Sequence, residues 1–227
     1  VVELLDEAGR LLHQTTTDTS GRYAFADLVP GRSSVHEITP PGLIDGQAGP
    51  GRIADRPAGI VRDPNTVTDI LLQSGQRAVE VDFCEHAPAS LSGHVFHDAD
   101  NDGRRAPAEQ GIADVTILLV DESKQVVATA QTNADGFYRL GHENLRAGTY
   151  TIRQVQPEDW WDGQDTAGRV DGQPSGQAQN PGDEINQIRL GWGQTGVDYD
   201  LGELLPASIE GLVHVDLNND AQQQVGE

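Results

Sequence analysis

Asp98, Asp100 and Asp102 alternate along the chain, Gly103 follows, and Glu109 closes the run. The pattern is D-x-D-x-D-G-x5-E. It returns 118 residues later (216 − 98) as Asp216, Asn218, Asp220, Ala221 and Glu227. Such a loop offers only oxygen donors. Calcium takes six to eight hard oxygens at about 2.3–2.6 Å. Carboxylates at loop positions 1, 3 and 5 supply three directions, and the backbone carbonyl of Arg104 at position 7 a fourth. Glu109 at position 12 supplies a bidentate closure, and Gly103 at position 6 allows the sharp turn. The spacing therefore predicts an EF-hand-like calcium loop. The second copy carries Ala221 where Gly103 stands, and an alanine is strained at positive φ, so that site is expected to be weaker or differently bent.

Other chemistry finds little support. The chain holds no G-x-S-x-G elbow, no H-E-x-x-H and no phosphate-binding loop, so no enzyme is predicted. His94 and His97 are three apart on an expected strand, hence on opposite faces, and cannot chelate one ion together. Cys84 is the only cysteine. It excludes an intrachain disulfide and reads as a buried structural thiol at the end of the strand-like run Val79–Phe83. Lys124 is the only lysine. Its Ser123-Lys124-Gln125 context reads as a turn, so no lysine–asparagine isopeptide cross-link is expected. Trp160-Trp161 stands where an earlier stretch has Leu43-Ile44; the pair is expected to plug the open end of the fold. The alternative is a stacking platform for a sugar or protein partner.

The formal charge of −21 excludes a basic face for nucleic acid. Most of that charge reads as a solvated surface. The longest apolar stretch, 115–120, is too short to insert in a bilayer.

These loops need elements to position them, and the chain repeats. Ser90-Leu-Ser-Gly93 matches Ser208-Ile-Glu-Gly211, Asp45-Gly-Gln47 matches Asp162-Gly-Gln164, and Glu85 matches Glu203, at spacings of 117–118. Gly21-Arg-Tyr23 matches Gly136-Phe-Tyr138 at 115. The expected organisation is an incomplete repeat over 1–89, lacking its first strand and calcium loop, and a complete repeat over 90–206. Residues 207–227 then give the first strand and loop of a third. Within a unit the hydrophobic period is two. Val79, Val81 and Phe83 alternate with Glu80 and Asp82, as do Val197, Tyr199 and Leu201 with Asp198 and Asp200. Strands are expected near 91–97, 113–121, 125–132, 136–140, 148–155, 184–190 and 196–202. That makes an all-β sandwich, with a long Gly-, Pro- and Asp-rich connection over 156–183 and its counterpart over 40–66.

The string Ser92-Gly-His-Val-Phe-His-Asp98 through Gly103 to Glu109-Gln-Gly111-Ile-Ala113 resembles the opening of the B-type repeats of serine-aspartate repeat surface proteins, the SdrD B-like domain, related to Cna B-type repeats. Thr132–Leu140, Leu145–Ile152 and Tyr199–Glu203 resemble later signatures of that family, and Thr17–Phe25, Leu28–Gly31 and Val81–Glu85 repeat them. The resemblance implies tandem immunoglobulin-like or prealbumin-like sandwiches on a bacterial cell-surface or secreted protein, stiffened by calcium. By position, the implied ligands are Asp98, Asp100, Asp102, the Arg104 carbonyl and Glu109, then Asp216, Asn218, Asp220, the Gln222 carbonyl and Glu227. The implied partners are calcium and neighbouring repeats, with a host or matrix protein or glycan engaged through other domains. Two readings of Asn133 and Asp135 stay open: an Asx turn feeding a hairpin, or ligands of an extra calcium site. The main alternative function is an adhesin or carbohydrate-binding module using the Trp160-Trp161 loop.

Overall fold

The computed structural model describes residues 1–211 and 213. All regular elements among them are strands, in two successive units with separate apolar cores. Each unit holds a five-stranded antiparallel sheet of the same order. In the first, Leu11–Thr15, Val2–Asp6, Gly31–Glu37, Thr66–Leu72 and Ile60–Asp63 lie side by side. In the second, Val126–Gln131, Thr116–Asp121, Gly148–Gln154, Glu184–Leu190 and Gln177–Gln179 repeat that order. Alternation drives both: Tyr150, Ile152 and Gln154 point inward from Gly148–Gln154, and Val2 and Leu4 from Val2–Asp6. No helix in the structure is long and apolar enough to cross a membrane.

The second unit closes this sheet with another, built around Ala89–His97. That strand pairs antiparallel with Phe137–Leu145, and parallel with Thr195–Val197 and Leu201–Leu204. Leu91, Val95, Tyr138, Leu140 and Leu201 from this sheet meet Ile117, Leu119, Ile152, Ile185 and Ile188 from the other in one core, so the unit is a β-sandwich. Two expected strands differ in extent. Residues 136–140 run on to Leu145, because Leu145 pairs again with Ala89 beyond a bulge. The expected strand 196–202 is broken at Asp198, whose φ is 62°; the Asp200 carboxylate fills the gap by accepting the His94 amide at 2.9 Å. The connection 156–183 is tied down by the short strands Trp161–Asp162, Arg169–Val170, Gln173–Pro174 and Gln177–Gln179.

In the first unit the second sheet shrinks to Ile44–Ala48 paired with Phe83–His86. No strand stands where Ala89–His97 lies in the second, and Tyr23–Phe25, the counterpart of the start of Phe137–Leu145, is left without a ladder. This corrects the reading of Cys84, which is exposed. Its counterpart 118 positions on, Gly202, is buried and pairs with Phe96 of the central strand. Where that strand is missing, nothing covers the thiol. Lys124, at φ 64°, sits exposed in the turn from Asp121 to Gln125.

The units join through side chains. The His86 imidazole stacks on Trp192, with centroids 4.0 Å apart. The Arg146 guanidinium lies over the same indole at 5.8 Å and reaches the Asp45 carbonyl oxygen. The Gly193 amide donates to the Ala87 carbonyl at 2.9 Å.

Candidate metal centre

The loop 98–109 leaves the central strand at Asp98 and returns to it. The His97 amide bonds the Gln110 carbonyl, and Ile112 bonds Val95, so both ends are pinned on one strand. Asp98 is fully buried, its own amide bonded to the Glu203 carbonyl at 2.9 Å. Its carboxylate accepts the amides of Asp102 at 3.1 Å and Gly103 at 2.8 Å. That winds the loop around the carboxylate and brings one oxygen each of Asp98, Asp100 and Asp102 within 4.8 Å of one another. Gly103 takes φ +73°, as its place in the loop requires.

The remaining ligands expected from sequence are placed differently. Glu109 turns both oxygens onto the loop backbone, accepting the amides of Ala99 at 2.9 Å and Ala106 at 2.7 Å. Arg104 follows Gly103 on the exposed side and donates its amide to Asp102 at 2.8 Å. Asp216, Asn218, Asp220, Gln222 and Glu227 lie outside the described residues. The Asn133 side chain accepts the amides of Asp135 and Phe137, an Asx turn that opens the hairpin. Asp18 makes the equivalent turn in the first unit.

Electrostatics mark the loop as short of positive charge. Asp102 first, then burial, Glu109 and Asp98 raise the pKa of Asp100 above the usual carboxylate value. An all-oxygen, acid-rich donor set whose members repel one another suits a hard divalent cation.

Two residues of the long connection brace this loop, and sequence reading missed both. Gln164 donates to the Asn101 carbonyl at 2.8 Å, and Thr166 to the Gly103 carbonyl at 2.6 Å. Between them Asp165 is buried, accepts the Gly202 amide, and has its pKa pushed up to about 9 by burial and the nearby Asp162. The recurrence of Asp-Gly-Gln in both repeats was the available signal. It showed as a repeat marker and not as a brace.

The tryptophan pair divides. Trp160 is half-buried with its ring edge-on to His97 at 5.3 Å. Trp161 is 67% exposed where its counterpart Ile44 is 8% exposed. The plug reading thus holds for Trp160 and fails for Trp161, because Trp161–Asp162 is an edge strand that turns the indole outward.

Residues 1–84 and 89–203 match the family model of the SdrD B-like domain. Serine-aspartate repeat-containing protein E of Staphylococcus aureus (strain MSSA476) is 32% identical over 158 residues, covering 69% of this chain and 13% of that protein. The bone sialoprotein-binding protein of Staphylococcus aureus shares the same identity and coverage. The chain thus spans about an eighth of the length of these relatives. Among solved structures, the minor pilin GBS52 of Streptococcus agalactiae overlays 86% of this chain and 70% of its own at 10% identity, with a TM-score of 0.34. The matched residues take in both sandwich units and the acidic loop, and the chain belongs to the SdrD B-like domain family.

Proposed function

We propose that this segment is a non-catalytic, calcium-stabilised structural repeat, a stalk or spacer of a bacterial cell-surface or secreted protein. The observation that supports it most is the loop 98–109, which gathers three carboxylates around one point at the end of the central strand. Without a cation those charges oppose folding. A bound ion cancels the repulsion and locks the loop to Gln164 and Thr166, and through them to the long connection. Ligand binding to the folded state alone stabilises by about 2.7 kcal/mol at a hundredfold excess over Kd. Extracellular modules often work at calcium Kd values of about 10⁻⁴–10⁻³ M. The loop adjoins Glu203, where the chain leaves the second sandwich, so the same ion stiffens the exit towards the next repeat.

Thermal unfolding followed by circular dichroism, in calcium and in EGTA, tests this reading. Calcium is expected to raise the midpoint by several degrees, and Asp98→Ala with Glu109→Ala to abolish the rise. Equal midpoints in calcium and chelator for the parent chain would refute it.

One observation favours a second reading, in which the repeat also recognises a glycan or protein: the exposure of Trp161. Quenching of tryptophan fluorescence by glycans, lost in Trp161→Ala, would support it.

A further inference from the structure

Four matching positions in the two units hold polar side chains between the sheets. In the first unit they are Glu37, Asp45, Asn65 and Glu85; in the second, Gln154, Asp162, Asp183 and Glu203. The match is structural as well as numerical. The Glu37 amide bonds the Asn65 carbonyl at 2.8 Å, and the Gln154 amide bonds the Asp183 carbonyl at 2.9 Å. Ile44–Ala48 pairs with Phe83–His86 so that Asp45 faces Glu85, and Trp161–Asp162 pairs with Leu201–Leu204 so that Asp162 faces Glu203.

The composition is the telling part. Each unit places three carboxylates and one amide at these positions, but the amide has moved. Position one is Glu in the first unit and Gln in the second; position three is Asn in the first and Asp in the second. A change at one position is offset at its hydrogen-bonded neighbour, which keeps charge and donor count constant. Solvated surface acids have no reason to do this.

Both clusters are buried and short of partners. Glu37 is 7% exposed, Gln154 4% and Glu203 1%. Glu37 Oε2, both Glu85 oxygens and Asn65 Oδ1 lack any hydrogen-bond donor, as do Gln154 Oε1 and Asp162 Oδ1. Among the described residues no salt bridge reaches any of the eight side chains. Buried oxygens normally find a partner, and buried charge a counter-charge.

The amide shows where the counter-charge belongs. Gln154 Nε2 bridges Glu203 Oε1 and Asp183 Oδ1. In the first unit the Asn65 amide nitrogen bonds the Thr39 hydroxyl and faces Asp45. Each –NH₂ group stands among the carboxylates as a weak positive end, with its own oxygen turned away and unpartnered. Rotation of the amide by half a turn would present that oxygen to the same space.

We propose that each repeat carries a second cation site, in which Glu37, Asp45, Asn65 and Glu85, and likewise Gln154, Asp162, Asp183 and Glu203, supply the oxygens for a calcium-sized divalent ion. Three carboxylates, with bidentate binding at one or two, and an amide oxygen approach the six to eight donors calcium takes. The site ties the outer edge of one sheet to the other, and in the second unit it backs onto the acidic loop through Glu203. It does not depend on calcium occupying the loop 98–109.

Counting calcium ions bound to the full chain tests it, by native mass spectrometry with calorimetry. A variant with both acidic loops disabled (Asp98→Asn, Asp100→Asn, Asp216→Asn, Asp220→Asn) is expected to keep two ions. Adding Asp183→Asn should leave one, and adding Gln154→Glu to that should restore two, since it recreates the arrangement of the first unit. A loop-disabled chain that is folded by circular dichroism yet binds no calcium would overturn the proposal. So would a count indifferent to Asp183→Asn, or a loss that Gln154→Glu fails to repair. If the parent chain loses ions only when the loops are disabled, the loop reading stands and this one falls.

Discussion

The two units share a five-stranded sheet, strand for strand, and differ in whether a strand runs through the centre of the other sheet. In the second unit Ala89–His97 joins Phe137–Leu145, Thr195–Val197 and Leu201–Leu204. In the first, nothing takes that place. The consequences are local. Tyr138 is 1% exposed and Tyr23 only half-buried; Gly202 is buried and Cys84 open. The second core assembles seventeen buried apolar residues against six in the first. A single strand therefore converts one sheet with a partial cover into a sandwich, and most of the burial difference traces to it.

The sharpest way to break the comparison is to damage that strand. Leu91 is fully buried on Ala89–His97. Leu91→Ala is expected to destabilise the second unit by about 2–5 kcal/mol, the range for a leucine truncated in a packed core. All three tryptophans lie in the second unit, so urea unfolding followed by indole emission reports that unit separately. Leu4→Ala, in the thinner first core, should leave the indole transition in place. A common shift for both variants would mean that the units unfold as one, through the His86–Trp192 stack.

The comparison also shows what the sequence could and could not display. The alternation at Val197, Tyr199 and Leu201 and the recurring Asp-Gly-Gln were visible as pattern, and they located the strands and the repeat. The acidic loop was visible because all its ligands lie within twelve consecutive residues. The buried clusters were not. Their members are contributed by four strand ends or loops spread over some fifty residues, and only pairing brings Asp162 to Glu203. Cys84 was misread because alternation tells which face a side chain takes, not whether a second layer exists to cover it. The break at Asp198 was hidden for a related reason: an aspartate fits an alternating strand and a left-handed turn equally well.

A smaller effect follows at the covered position itself. A Cβ on Gly202 would stand 2.6 Å from the Gln164 carbonyl oxygen and 3.0 Å from Asp98 Cβ, both held by the neighbouring chain. Gly202→Cys, which copies the first unit into the second, is expected to cost about 1–3 kcal/mol, the range for overpacking a well-filled site. Calcium affinity should fall with it, since Asp98 is the atom displaced. The reverse change, Cys84→Gly, should cost a few tenths of a kcal/mol, because nothing packs on that side chain. Reaction of the folded chain with a thiol reagent gives a direct check: Cys84 should react at nearly the rate of a free thiol, and the Gly202→Cys thiol should react only on unfolding.

The tyrosines give the mildest and cleanest contrast. Tyr138 donates its hydroxyl to the Tyr199 carbonyl at 2.7 Å, and Tyr23 donates to the Val81 carbonyl, the same link at the same place in each repeat. Burial raises the pKa of both hydroxyls, so neither ionises in the neutral range. Removing a buried donor leaves its acceptor unsatisfied, at about 1–3 kcal/mol; where water can reach, it takes over the bond and the loss is smaller. Tyr138→Phe should therefore lower stability by about 1–2 kcal/mol, and Tyr23→Phe by less than half of that. The geometry of the bond is common to both units, so the difference isolates what the central strand does: it keeps water from the carbonyl. If the two substitutions cost the same, the first unit excludes water as well as the second does, and its cover must come from a segment other than the missing strand.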